Sequence, residues 1–166
     1  MPSPAPPDRA ILLKLDVNGE RRALALDPER TLVEVLREDL GMTGTKASCE
    51  MGDCGSCTVL LDDQAVYSCL VLAAECAGRS VETVEGLAEG QELTPLQTAF
   101  VECDALQCGY CTPGQLMSLE GLRRRVPEPT ATDVERAVQG NLCRCGAYRH
   151  ILEAGCRALG VDGTAR

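Results

Sequence analysis

Tryptophan is missing from this chain, phenylalanine occurs once (Phe100), tyrosine three times and histidine once (His150). Any core must therefore be assembled from Leu, Val, Ala and Ile, and small aliphatic cores are individually marginal. The single histidine falls near the start of the last expected helix and reads as a polar surface residue rather than a catalyst. No apolar run approaches the length of a bilayer span. The first eight residues, MPSPAPPD, lack the apolar stretch of an export signal, and the Arg21-Arg22 pair is followed by a segment too short and too acid-flanked to be one. Basic side chains are also short: 16 Lys and Arg against 25 Asp and Glu, a net charge of −9. The deficit lies in residues 26–104, where 4 basic and 16 acidic residues leave −12, against +1 for residues 1–25 and +2 for residues 105–166. A phosphate-binding surface needs clustered Lys and Arg, so nucleic acid does not fit. The acidic stretch is a solvated face or a docking surface for a basic partner.

What the chain has in abundance is cysteine, eleven in 166 residues. Eight form two unlike sets: Cys49, Cys54, Cys57 and Cys69, then Cys108, Cys111, Cys143 and Cys145. The first is C-x4-C-x2-C with a later fourth thiol, the plant-type [2Fe-2S] spacing; the second pairs a CxxC with a distant CxC. A disulfide framework would require a secreted chain, and the N-terminus predicts a reducing, cytoplasmic setting instead. Two four-cysteine zinc sites remain an alternative, although the common zinc knuckles are paired C-x2-4-C units without a three-cysteine loop. A redox dithiol at Cys108–Cys111 lacks a preceding βαβ pattern. Cys76, Cys103 and Cys156 sit among apolar residues and read as buried, inert thiols, with Cys76 the one rival to Cys69 as fourth ligand.

The patterning predicts an α+β chain. Ile11–Val17 and Arg22–Leu26 alternate around Asn18-Gly19, a β-hairpin. Thr31 opens a helix over residues 32–40, the strand–strand–helix start of a β-grasp fold. Gly41, Gly44, Gly52 and Gly55 mark a loop curved closely around the first thiol set. Residues 58–61 and 65–67 predict a second hairpin carrying Cys69 back to that loop, and residues 79–84 a closing strand. After a junction at Gly86–Gly90 the spacing turns helical. Thr94-Pro95 and Thr112-Pro113 open two helices, Thr132 with Glu135 caps a third, and Tyr148–Leu159 forms a fourth, a small four-helix bundle. Two domains follow, residues 10–87 and 91–160.

Residues 44–69 (GTKASCEMGDCGSCTVLLDDQAVYSC), 107–114 (QCGYCTPG) and 140–148 (GNLCRCGAY) resemble the iron–sulfur subunit of the xanthine oxidase family of molybdenum hydroxylases. The resemblance implies an N-terminal β-grasp, plant-ferredoxin-like domain with one [2Fe-2S] cluster and a helical C-terminal domain with a second. It further implies an electron relay from a molybdopterin centre, through Cys108, Cys111, Cys143 and Cys145, then Cys49, Cys54, Cys57 and Cys69, to a flavin or other acceptor. Gln107 and Cys145 correspond to the family positions that contact the pterin. The molybdopterin-binding large subunit, and any FAD subunit, would be separate chains, so no catalytic residue is expected here. Two departures stand out. Ser48 replaces the usual glycine before the first ligand, where its hydroxyl can donate to a sulfur, and Gly146-Ala147 replaces Thr-Gly. The CRCGAY form is similar to members oxidising aldehydes or N-heterocycles. A free-standing two-cluster ferredoxin with an acidic docking face is the other electron-transfer reading.

Overall fold

The computed structural model describes residues 9–88, 90 and 92–162. Met1–Asp8 and position 89 of the expected junction lie outside them. The architecture is α+β: a five-stranded mixed sheet with a short helix on one face and four longer helices following in sequence. Strands β1 (Ile11–Val17) and β2 (Glu20–Leu26) pair antiparallel through the Asn18-Gly19 turn, both of whose residues have positive φ, as a two-residue hairpin with matching twist requires. Strands β3 (Thr58–Leu61) and β4 (Gln64–Tyr67) repeat the device around Asp62-Asp63, again both at positive φ. Strand β5 (Ser80–Glu82) joins the hairpins, parallel to β1 and antiparallel to β3, giving the order β2-β1-β5-β3-β4.

The first helix, α1, departs from expectation. It is α-helical only over Leu32–Glu34 and widens to a π-turn over Val35–Asp39, with Leu40 N–H donating to the Val35 carbonyl. The register slip leaves Leu32, Val35 and Leu36 on the sheet while Arg37 reaches the Thr43 and Thr45 carbonyls of the following loop. Its start is a full capping box, Thr31 with Glu34.

Helices α2 (Pro95–Glu102), α3 (Thr112–Arg125), α4 (Ala131–Val138) and α5 (Tyr148–Ala158) occupy the C-terminal half. The cap of α4 is Thr130 with Asp133, not Thr132 with Glu135. Both pairs satisfy the same spacing; the earlier one starts the helix so that Val134 and Val138 turn inward together. His150 lies in α5, its Nδ1 donating to the Cys103 carbonyl at 2.7 Å, a structural contact.

Strand β3 links two cores. Val59 and Leu61 point into the sheet core with Leu13, Leu15 and Val17. Leu60 points the other way, among Phe100, Met117, Leu119 and Ile151 of the helical core. The period-2 alternation of a strand thus has both faces buried, because α3 lies directly on the sheet. Gly121 permits this, since a Cβ there would sit 3.1 Å from Leu60 and 3.2 Å from Ala65.

Candidate metal centres

The loop between α1 and β3 carries three of the first four cysteines, and its shape follows from backbone that turns left-handed at Glu50 and Gly52. These turns aim N–H groups inward. Those of Met51, Cys54 and Asp53 converge on the Cys49 sulfur, the Cys54 amide at 3.4 Å, and draw its pKa down to about 6. Cys57, at the entry to β3, and Cys69, in the turn Ser68–Leu70 after β4, are buried together with Val33, and the half-buried Ala47 and Tyr67 pack against them. Loss of water pushes the Cys57 thiol up to about 12, with Cys69 beside it adding to the rise. Cys76 belongs to the separate sheet core, where burial raises it to about 11.

The second set is assembled from two turns. Cys108 and Cys111 flank the turn into α3; Cys143 and Cys145 occupy the loop between α4 and α5. The Tyr110 N–H followed by the Cys145 thiol lowers Cys108. Burial raises Cys111 to about 12, helped by Cys143. Burial opposes ionisation of Cys143 as well, but the Ala147 N–H, the Cys111 thiol and the amides of Cys145 and Gly146 outweigh it and bring that thiol down.

Within each set every thiol has a neighbour: Cys49 lies beside Cys54 and Cys57 beside Cys69, Cys108 beside Cys145 and Cys111 beside Cys143, with Cys54 near enough to Cys57 and Cys108 to Cys111 to oppose their ionisation. Among the described residues no three His, Cys, Asp or Glu side chains converge as ligands of a single ion would. A tetrahedral zinc would draw four sulfurs mutually within about 4 Å. Two thiolates on each of two irons is the demand of a [2Fe-2S] cluster, and the backbone N–H groups aimed at sulfur supply the polar contacts that tune one. The residues fit that group.

Sequence reasoning missed how the two sites are joined. Asn141, buried next to the second loop, donates from Nδ2 to the Gly55 carbonyl at 2.8 Å and accepts from Ser118 Oγ at 2.8 Å, while Gln115 donates to its carbonyl at 3.0 Å. Leu142 N–H donates to the Cys54 carbonyl at 2.9 Å, and Tyr67 Oη to the Gly140 carbonyl at 3.1 Å. Gly55 sits at φ +67° with Gly140 and Asn141 so close that a Cβ would lie 2.5 Å from the Gly140 oxygen. Farther out, Arg124 ties α3 to Glu82 and Asp63 and also pairs with Glu120 of its own helix. Gln107 is exposed, its Nε2 within 3.5 Å of the Cys145 carbonyl, so the two residues singled out together do meet. Ser48 lines the cleft between the sites.

Residues 15–94 match the 2Fe-2S iron-sulfur cluster binding domain, and residues 83–156 a [2Fe-2S] binding domain. The chain is 50% identical over 163 residues to the nicotine 6-hydroxylase small subunit of Paenarthrobacter nicotinovorans, covering 98% of each. It belongs to the iron–sulfur small subunits of the xanthine oxidase family of molybdenum hydroxylases. The aldehyde oxidoreductase iron-sulfur-binding subunit PaoA of Escherichia coli K12 is 38% identical over 169 residues, covering 93% of this chain and 74% of its own. Among solved structures, a chain of quinoline 2-oxidoreductase from Pseudomonas putida 86 superposes with a TM-score of 0.86 at 41% identity, over 92% of this small subunit and 94% of that chain. No helix among the described residues is long and apolar enough to cross a membrane.

Proposed function

We propose that Cys49 and Cys54 hold one iron and Cys57 and Cys69 the other of a first [2Fe-2S] cluster, and that Cys108 with Cys145 and Cys111 with Cys143 do the same for a second. The observation that carries this is the gathering of the eight thiols into two neighbouring sets, with Cys54 of the first and Cys108, Cys111 and Cys143 of the second lining one cleft. When bound, such clusters take up and release single electrons. The chain's own part is to hold two dissimilar sulfur environments at fixed separation.

The small subunit carries electrons for a molybdenum hydroxylase complex, and its face around the second set is the side that meets the molybdopterin-binding large subunit. Cys108, Cys145 and Gln107 are exposed there, amid Leu106, Tyr110, Leu142 and Tyr148. An apolar rim around exposed thiols suits a permanent partner better than a freely diffusing carrier. Gln107 Nε2 and the backbone at Cys145 are the groups offered to the pterin. Electrons then leave by the first set for a flavin subunit or another acceptor. The relatives' names favour a substrate among aldehydes or N-heterocycles. Residues 10–87 and 91–160 act as a β-grasp domain and a small four-helix bundle sharing the Asn141 seam, and a cytoplasmic setting suits eight cysteines used as cluster ligands rather than as disulfides.

Purification of the chain from its native host tests this reading. A larger molybdenum-containing chain should accompany it, with iron and inorganic sulfide each near four per small subunit. Zinc in place of iron, or a chain that emerges alone and intact, would overturn it.

A further inference from the structure

The two thiol sets open into one cleft of about 370 Å³, lined by Cys54 from the first and by Cys108, Cys111 and Cys143 from the second. Its buried side is closed by the Leu142 amide on the Cys54 carbonyl and by Asn141 on the Gly55 carbonyl. Its solvent side has one strap. The Tyr110 hydroxyl donates to the Ala47 carbonyl at 2.5 Å, across 63 residues of chain.

Both ends of that strap lie within a ligand loop. Tyr110 sits between Cys108 and Cys111, and its own N–H points at the Cys108 sulfur. Ala47 comes two residues before Cys49 and packs against the buried Cys57 and Cys69. Tyr110 is 44% exposed, so water could satisfy its hydroxyl equally well. The bond serves to join the two loops instead. The turn it restrains has Gly109 at φ +79° and short-range contacts of its own, the Tyr110 N–H to the Cys108 sulfur and Thr112 N–H to the Gly109 carbonyl, so it is otherwise lightly held on this side.

We propose that Tyr110 is a positioning residue for electron passage between the two sets: its hydroxyl clasps the 108–111 turn to the 47–49 segment and so fixes the separation and relative orientation of the two clusters. An electron passing between clusters held there would leave the reduced second and enter the oxidised first, with no bond made or broken, and Tyr110 would take no charge in the step. The proposal rests on the two-cluster reading above.

The test uses the complex as purified from its host, with Tyr110→Phe and Tyr110→Leu variants. Iron content, the positions of the two paramagnetic signals, the magnetic splitting between them in the fully reduced state, and the rate of intercluster transfer after rapid one-electron reduction are measured together. Tyr110→Phe should keep its iron and both signals at native positions. Amides of residues 108–111 should exchange about two- to tenfold faster, the consequence of losing one net hydrogen bond. The splitting should broaden and transfer should slow, and Tyr110→Leu, lacking the ring as well, should do both more strongly. Native splitting and native rate in Tyr110→Phe would overturn the proposal. Iron loss in that variant would also overturn it, by making the hydroxyl a matter of cluster retention. A native complex without two signals would instead refute the two-cluster reading itself, whatever the variants do.

Discussion

The two thiol sets have equal numbers of ligands in unequal surroundings. In the first, Cys57 and Cys69 are 3% and 7% exposed, while Cys49 and Cys54 are half-buried on a loop that carries the exposed Met51. In the second, Cys111 and Cys143 lie inward while Cys108 and Cys145 stand in solvent, within a rim of exposed apolar side chains. Cluster potential depends on hydrogen bonds to sulfur and on exposure, so surroundings this different would give clusters held at the two sites different potentials, and with them a direction to electron flow. On the proposed reading the more exposed site is the one that a partner covers.

Removing a ligand is the severest way to break this contrast. Cys111→Ser should cost the second cluster, halving the iron, while the first signal persists, because the first set's thiols come from other loops; metal analysis with paramagnetic resonance decides it. The next largest effect is expected at the seam. Asn141→Ala strands the Ser118 hydroxyl in a buried site, while the Gly55 carbonyl keeps the Thr58 hydroxyl and N–H, and thermal or urea unfolding should show a loss of about 1–3 kcal/mol.

Arg124→Met sharpens the comparison by loosening α3 from the sheet while leaving both ligand sets untouched. It should cost about 1–2 kcal/mol at neutral pH, since Glu120 is buried and keeps only Arg123. Burial would raise the Glu120 pKa, but hydrogen bonds from Arg123 and Arg124 outweigh it and hold the carboxyl below its ordinary value. A carboxyl depressed in the folded state stabilises fully above its unfolded pKa of about 4.3, and that stability is lost as pH falls through the folded value. The gap between native and variant should therefore be widest near neutrality and narrow below about pH 4, as unfolding curves at several pH values would reveal. The smallest effect is expected of Cys76→Ala, about 1 kcal/mol from a small cavity, with iron unchanged. Iron loss there would move the fourth ligand from Cys69 to Cys76.

Much of this was legible locally. Asn18-Gly19, Thr94-Pro95 and Thr112-Pro113 each announce their element through residues a few positions apart, and the thiol spacing announces the metal. The π-turn over Val35–Asp39 was not, because its apolar spacing also fits an α-helix and the slip is settled by packing on the sheet. The α4 cap was ambiguous between two threonines of identical spacing. The seam was invisible for a different reason: Asn141 meets Gly55 across 86 residues and Tyr110 meets Ala47 across 63, and no local period encodes such pairings. The only sequence signal was position, a buried-capable amide and an aromatic hydroxyl standing within two residues of ligand thiols.

Stepwise reduction of the native complex, followed by paramagnetic resonance and metal content, tests the central claim most directly. Two distinct signals should appear at separate potentials, each accounting for one electron per small subunit, with iron and sulfide in equal amounts. A single signal, or zinc at either thiol set, would contradict it.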